Sequence, residues 1–151
     1  IVKRIEQFSK ERQKFKLAIS LNGTTNAQRL SIMPVTKNNP LENLLNVSDN
    51  YTSSSNTWIT FEYVLIKDCN DDLSDADRLI TILSGINKCK LNVIPYNMTD
   101  GIFQRPDEQQ IKLFMKKLNN APFPVTIRWS KGTDIDAGCG QLVISDNLMS
   151  T

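Results

Sequence analysis

The sequence predicts an α/β fold in which parallel strands alternate with crossover helices. Four short runs rich in β-branched and aromatic residues have the composition of strands, namely FKLAISL, WITFEYVLI, KLNVIPY and FPVTIRW. A segment with helical character lies before each run. A chain that alternates in this way favours parallel strands joined by right-handed crossovers. Four strands are too few to close a barrel, so we expect either a small open layer or part of a larger barrel.

The first half of the chain is expected to supply two helices and two strands. Residues 1–12 place apolar side chains at helical spacing, and the apolar run at residues 15–21 predicts a buried strand. The next helix is predicted to begin with Asn39 as its N-cap, and Glu42 stands where it would close a capping box. The polar run at residues 50–57 is predicted to be a loop that ends this helix before the second strand.

Five aspartates fall within residues 68–77, a density that raises the question of a calcium site. An EF-hand loop needs glycine at its sixth position and glutamate at its twelfth, and this chain has Leu73 and Leu79 there. The spacing therefore excludes an EF-hand. Ser74 or Asp75 is instead predicted to cap the following helix, whose positive end acidic side chains stabilise.

A further amphipathic helix precedes the last strand. Asp107 and Gln110 are spaced for a capping box at its start. Its apolar face is predicted to comprise Ile111, Phe114, Met115 and Leu118.

The composition excludes several classes of chemistry. The chain has no histidine, which rules out Ser-His-Asp and Cys-His nucleophile systems and zinc sites that use imidazole. The three cysteines, Cys69, Cys89 and Cys139, form no CxxC pair, so no metal site is predicted in this chain. Such cysteine usage fits a reducing, cytoplasmic setting. No apolar run is long enough to span a bilayer, and we expect no membrane association.

Small polar residues follow the predicted strands, in residues 20–23, 67–71, 96–101 and 130–142. In parallel α/β folds, ligands bind at the carboxyl ends of the strands, and these residue types suit contacts with a ribose or an adenine edge. The same residues are also common in loops of no particular function. Position alone leaves both interpretations open.

Two further features have a functional and a structural interpretation. Phe103 and Trp129 lie among lysines and arginines, an arrangement that could contact RNA or simply be a solvated helix face. Cys139 lies between two glycines, which permit close approach to the backbone, but a lone thiol in a loop is usually inert.

Several segments together resemble one enzyme family. LAISLNG, RLSIMPV, PLENLL, FEYVLIK, CKLNVIPYN, VTIR and, above all, GTDIDAGCGQL stand in the order found in the radical-SAM adenosine methyltransferases of RNA. This family comprises the RlmN type, which acts on adenine C2, and the Cfr type, which acts on C8. The resemblance extends from about Phe15 to Leu142. It implies the second half of a partial (β/α)6 TIM-like barrel, at residues 1–142, with a catalytic-cysteine loop at 131–142 and a tail at 143–151.

The resemblance also implies cofactors and site residues. The matching methyl-carrying cysteine is Cys139, and the matching S-adenosylmethionine (SAM) contacts are Ser20, Leu21, Asn22 and Asn97. The family usually has histidine where Asn22 stands. The CxxxCxxC motif that binds the family's [4Fe-4S] cluster does not occur in these 151 residues, and the resemblance places it in an N-terminal half that is missing here.

From this resemblance we expect part of an enzyme that methylates C2 of an adenosine in 23S rRNA, and in tRNA, through a methylated-cysteine intermediate. Its partners would be the RNA and the N-terminal half of the same protein, and the chain alone would be inactive. The alternatives are a C8-methylating relative, a truncated RNA- or nucleotide-binding module without activity, and an unrelated α/β domain that binds a phosphate ligand. The isolated chain is expected to self-associate through the edge strand at residues 15–21.

Overall fold

The structure, a computed structural model, describes residues 1–11, 15–97 and 101–129 of the 151-residue chain. It contains one four-stranded sheet in which all neighbouring strands are parallel and the strand order is the chain order. The strands are β1 (Leu17–Ser20), β2 (Ile59–Leu65), β3 (Cys89–Pro95) and β4 (Val125–Ile127). The predicted α/β fold with crossover helices is confirmed.

Five α-helices accompany the sheet in the described part of the chain. They are α1 (Val2–Lys10), α2 (Asn26–Ile32), α3 (Leu41–Ser55), α4 (Leu73–Leu83) and α5 (Glu108–Leu118). A short 3₁₀ helix, Pro34–Asn38, joins α2 to α3. None of the helices within these ranges has the length and apolar character that crossing a bilayer requires.

The hydrophobic core lies between the helices and one face of the sheet. Ile59, Phe61, Tyr63 and Leu65 of β2 are wholly buried, and they share one cluster with apolar residues of the helices, such as Phe114 of α5. The residues between them along the strand are only half-buried. We call this less buried side of the sheet the open face. Its strand residues are Ala18, Ser20, Thr60, Glu62, Val64, Lys90, Asn92, Ile94 and Thr126.

The predicted loop at residues 50–57 is wrong, because α3 continues to Ser55. Tyr51 is wholly buried within that segment. Its hydroxyl donates to Phe15 O at 2.7 Å and accepts from Phe15 N at 3.1 Å, which ties the helix to the residues just before β1. The hydroxyls of Ser54 and Ser55 bond back to Tyr51 O, as serine does on helices, and Asn56 ends the helix with a left-handed φ of 57°.

The predicted capping box at the start of α3 is also wrong. Pro40, not Asn39, is the N-cap, and it makes no side-chain capping bond. The first free N–H group, that of Leu41, donates instead to Oδ1 of Asn26 at 2.7 Å. Glu42 accepts from Nδ2 of the same asparagine at 3.1 Å. A side chain from α2 therefore does the capping, which a local motif search does not find.

Of the N-cap predictions for the last two helices, one is wrong and one is confirmed. Asp72 caps α4 by accepting from Ser74 N at 2.8 Å, so the prediction of Ser74 or Asp75 is wrong by two or three positions. Asp107 caps α5 as predicted, accepting from Gln110 N at 2.8 Å. The capping box is not completed, because the Gln110 amide donates to Asp71 O in a neighbouring loop.

Candidate functional site

The carboxyl ends of the strands lie along one edge of the sheet. Ser20, the last residue of β1, is exposed on the open face, and Asn97 lies two residues after the end of β3 and is partly exposed. β2 lies between these strands, and Ser20 is level with Asn92 in the register, so Asn97 lies five residues further along the sheet than Ser20. The fold thus brings the sequence-predicted residues Ser20 and Asn97 to the same edge, on opposite sides of β2.

The other two predicted contacts follow Ser20 directly. Leu21 has a wholly buried side chain; its N–H donates to Glu62 O at 2.8 Å, and its carbonyl accepts from Nε of Arg29 at 3.1 Å. Asn22 is also buried, and its Oδ1 accepts from Val64 N at 2.9 Å. Of the three consecutive residues, Ser20 presents its side chain to solvent, whereas the other two are turned into the protein.

Arg29 of α2 fixes the chain beneath this edge. It is wholly buried, and its Nη1 donates to Asn39 O at 2.9 Å, which links the end of β1 to the segment before α3. Its Nη2 has no hydrogen-bond partner among the described residues. Burial lowers the pKa of Arg29, and the carboxylate of Glu42 partly offsets that effect. Arg29 thus acts as a buried donor to main-chain carbonyls.

A row of polar side chains crosses the open face. Ser20, Glu62, Asn92 and Thr126 are partners in register on the four strands. Asn92 and Thr126 are hydrogen-bonded through their side chains, and Arg128, just after β4, lies with Nη1 3.9 Å from Oε1 of Glu62. Sequence reasoning missed Glu62, Asn92 and Thr126, and it considered Arg128 only as one of the basic residues around Phe103 and Trp129. The signal that could have found them is a glutamate at an alternate position inside a strongly apolar strand.

The residues present fit SAM in kind. Beyond the polar row, towards the carboxyl edge, the open face carries the half-buried side chains of Val64 and Ile94. An apolar surface suits a purine ring, and a neighbouring row of hydroxyl, carboxylate and amide groups suits a ribose and an amino-acid moiety. The carboxylate of Glu62 can accept from hydroxyl or ammonium groups.

A polar cavity of about 550 Å³ lies beside the carboxyl edge, between the loop that follows β2 and the first turns of α4 and α5. Burial raises the pKa of Asp71 in its wall, although hydrogen bonds to its carboxylate lower it in part. Asp75 is buried and accepts from Oγ1 of Thr24 at 2.6 Å, from Gln28 at 2.8 Å and from Arg78. This network connects the chain after β1 to α4, and we assign it a structural role.

The residues proposed to stack on RNA already have partners within the chain. The guanidinium of Arg105 lies 5.0 Å from the centre of the Trp129 ring, and Arg105 also pairs with Glu108. Phe103 contacts Tyr96 edge to face, with ring centres 5.9 Å apart. Phe103 and Trp129 are half-buried, so part of each ring faces solvent near the carboxyl edge.

The two described cysteines lie at opposite ends of the sheet. Cys69 is exposed in the loop after β2, whereas Cys89 begins β3 and donates its thiol to Leu83 O at 3.5 Å. Burial raises the pKa of Cys89 to about 11. No group of three or more cysteine, aspartate or glutamate side chains in the described ranges could hold a metal ion, so these residues do not fit an iron–sulfur cluster. Cys139, the loop at 131–142 and the tail lie outside the described residues.

Comparison with known proteins gives consistent matches, although no family model matches the chain. A probable dual-specificity RNA methyltransferase RlmN from Akkermansia muciniphila is 40% identical over 131 residues, 86% of this chain and 36% of that protein. The corresponding protein of Pseudothermotoga lettingae is 40% identical over 146 residues, 97% and 42% of the two chains. The dual-specificity RNA methyltransferase RlmN of Desulfosudis oleivorans is 45% identical over 127 residues, which are 83% of this chain and 34% of that protein.

Solved structures agree with these sequences. A radical SAM methyltransferase from Sphaerobacter thermophilus superposes with a TM-score of 0.83 at 35% identity, over 93% of this chain and 41% of that one. A domain of pyruvate-formate lyase-activating enzyme from Bacteroides vulgatus superposes with a TM-score of 0.66 at 17% identity, which shows likeness of fold alone. The chain spans about two fifths of the length of the curated relatives it matches. Identities of this size over nearly the whole chain show that it is homologous to one part of the proteins named RlmN and to one part of the radical SAM methyltransferase.

Proposed function

We propose that this chain is the C-terminal half of an enzyme that methylates C2 of an adenosine in 23S rRNA and in tRNA. The observation that carries the proposal is the 38–45% identity to proteins named dual-specificity RNA methyltransferase RlmN, over most of the chain. The superposition on a radical SAM methyltransferase agrees with it. The alternative of a non-catalytic module has no observation in its favour.

The described residues have a defined part in this proposal. When bound, SAM would supply both the methyl group and the radical that activates it. Ser20 and Asn97 would orient it at the carboxyl edge, and the apolar surface of Val64 and Ile94 would exclude water from its ring. Cys139 would accept the methyl group and carry it to the base. The [4Fe-4S] cluster would be bound by the N-terminal half, because the described residues of this chain offer no ligand set for it.

The partners follow from the same proposal. β1 is an edge strand in the described sheet and pairs only with β2 there, so the N-terminal half would add its strands to β1. Without that half, the isolated chain would self-associate through the same edge. RNA with exposed bases would approach the carboxyl edge, where Phe103, Arg105 and Trp129 lie. Since rRNA and tRNA are cytoplasmic substrates, the protein would act in the cytoplasm.

The proposal is tested in the full-length protein produced in a host that lacks its own adenosine C2-methyltransferase. Nucleosides from 23S rRNA and tRNA are separated against 2-methyladenosine and 8-methyladenosine standards, and the Cys139 peptide is weighed. We expect 2-methyladenosine, and one extra methyl group on Cys139. The variant Cys139→Ala should abolish the modified nucleoside, whereas the matched control Cys69→Ala should retain it. The proposal is wrong if the wild-type protein leaves both RNAs unmodified, and 8-methyladenosine would assign the C8 specificity instead.

A further inference from the structure

Asn22 has an unusual backbone at the end of β1. Its φ is 52°, in the left-handed region, which asparagine adopts more often than most residues other than glycine, although still infrequently. Such a conformation persists only where surrounding groups determine it, and it is enriched at ligand sites. It also bends the chain directly after Ser20 and Leu21. The position of these residues relative to the open face therefore depends on what holds Asn22.

Three hydrogen bonds hold it. Its Oδ1 accepts from Val64 N at 2.9 Å, its Nδ2 donates to Sδ of Met33 at 3.3 Å, and its carbonyl accepts from Nδ2 of Asn70 at 3.1 Å. The first two use the side chain of Asn22 itself. The third comes from a residue 48 positions away, in the loop after β2.

Asn70 is wholly buried, and its side-chain amide both donates and accepts hydrogen bonds. Its Nδ2 also donates to Val64 O at 2.8 Å, and its Oδ1 accepts from Ile66 N at 2.7 Å. Its own carbonyl accepts from the hydroxyl of Tyr63 at 2.8 Å. One amide thus ties the end of β1 to the end of β2. Only an amide of this length offers two donors and an acceptor in that arrangement.

We propose that Asn70 is a positioning residue of the SAM site: it fixes the left-handed backbone of Asn22 and so sets where Ser20 meets the ligand. It touches no ligand itself and acts through Asn22. The inference rests on the proposed function, since it presumes that SAM binds at this edge. A buried amide that only stabilised the fold would contribute to unfolding free energy and leave the affinity for SAM unchanged.

The test uses full-length, cluster-loaded protein and S-adenosylhomocysteine as the probe. Asn70→Asp keeps the shape and the acceptor but removes both donors. Asn70→Ser removes the bonds without burying a carboxylate, and decides the matter if the aspartate variant does not fold. The control is Tyr51→Phe, which removes two hydrogen bonds at the opposite end of β1. Calorimetry, performed well below the melting temperature of each variant, gives the dissociation constant of S-adenosylhomocysteine.

We expect both Asn70 variants to raise the dissociation constant about tenfold. Without the bond from Asn70, the carbonyl of Asn22 is left unpaired, and the backbone after Ser20 is free to shift. Tyr51→Phe should lower the melting temperature and change the dissociation constant less than twofold. An unchanged constant in Asn70→Ser, with a lower melting temperature, overturns the positioning role and leaves the proposed function standing. Absence of binding by the wild-type protein overturns the proposed function, and this inference with it.

Discussion

Substitution of Gly23 by alanine adds one methyl group and tests how closely α2 packs against the end of β1. A Cβ added there would lie 2.9 Å from Cγ and 2.9 Å from the backbone N of Arg29, and 3.0 Å from Cβ of Gln28. Ordinary contacts of a Cβ begin near 3.4 Å. The side chain of Arg29 has little freedom because it is buried and bonded to two carbonyls, and its backbone N belongs to the first turns of α2. The added methyl must therefore displace the helix or the end of β1.

Overpacking of this kind costs about 1–3 kcal/mol, and replacing glycine returns about 0.4–1 kcal/mol by restricting the unfolded chain. We expect Gly23→Ala to lower the free energy of unfolding by about 1–2 kcal/mol, which corresponds to about 2–8 °C in melting temperature for a chain of this size. The control is Gly85→Ala, since a Cβ there meets nothing within 4 Å and the backbone is not left-handed. It should be neutral or slightly stabilising. Urea unfolding followed by circular dichroism measures both, and equal stability of the two variants would refute the close approach at Gly23.

Two further predictions concern titration and access. Burial raises the pKa of Asp71 in the folded protein, so the ionised carboxylate lowers the free energy of unfolding at pH 7. This destabilisation disappears when the pH falls below the ordinary aspartate pKa of about 3.9, because the group is then protonated in both states. Asp71→Asn, which keeps the acceptor for Asp68 N, should melt higher than the wild type at pH 7 and equally near pH 3; a lower melting temperature at pH 7 would contradict this. Iodoacetamide at pH 8 should label Cys69 in the native protein and Cys89 only in denaturant, as read by peptide mass spectrometry, because Cys89 is buried and has a pKa of about 11. Native labelling of Cys89 ahead of Cys69 would show that its burial is wrong.

The strands could be predicted because each is a short, strongly apolar run between polar segments. α2 could not, since its inward side is occupied by Arg29 while Leu30 is largely exposed, which removes the apolar periodicity that indicates a helix. The end of α3 was missed for a related reason. Its polar sequence favours a loop, whereas in the structure Tyr51 is buried and hydrogen-bonded to Phe15, 36 residues away.

The candidate site shows the same division between local and distant causes. Ser20 and Asn97 were named because they match the SAM-contacting residues of the family that the sequence resembles, whereas their place after strands left their role open; that role stays a prediction. Glu62 was missed because a strand of a parallel sheet is expected to be buried on both faces. Asn70 was missed because it stands in an acidic loop whose aspartates attract attention, whereas its importance lies in a bond to Asn22.

The strand order of the sheet has a consequence for how the protein is made. Because β1, β2, β3 and β4 are neighbours in space in the order in which they occur in the chain, each strand after β1 meets a partner that has already been synthesised. Each new strand and helix can dock as it leaves the ribosome, and no part of the described sheet has to wait for a later segment to be inserted between strands already paired. The exposed edge then moves along the sheet with synthesis, from β1 to β2 and onwards to β4. At each stage one edge strand is the template for the next, so assembly of this part of the chain proceeds in one direction.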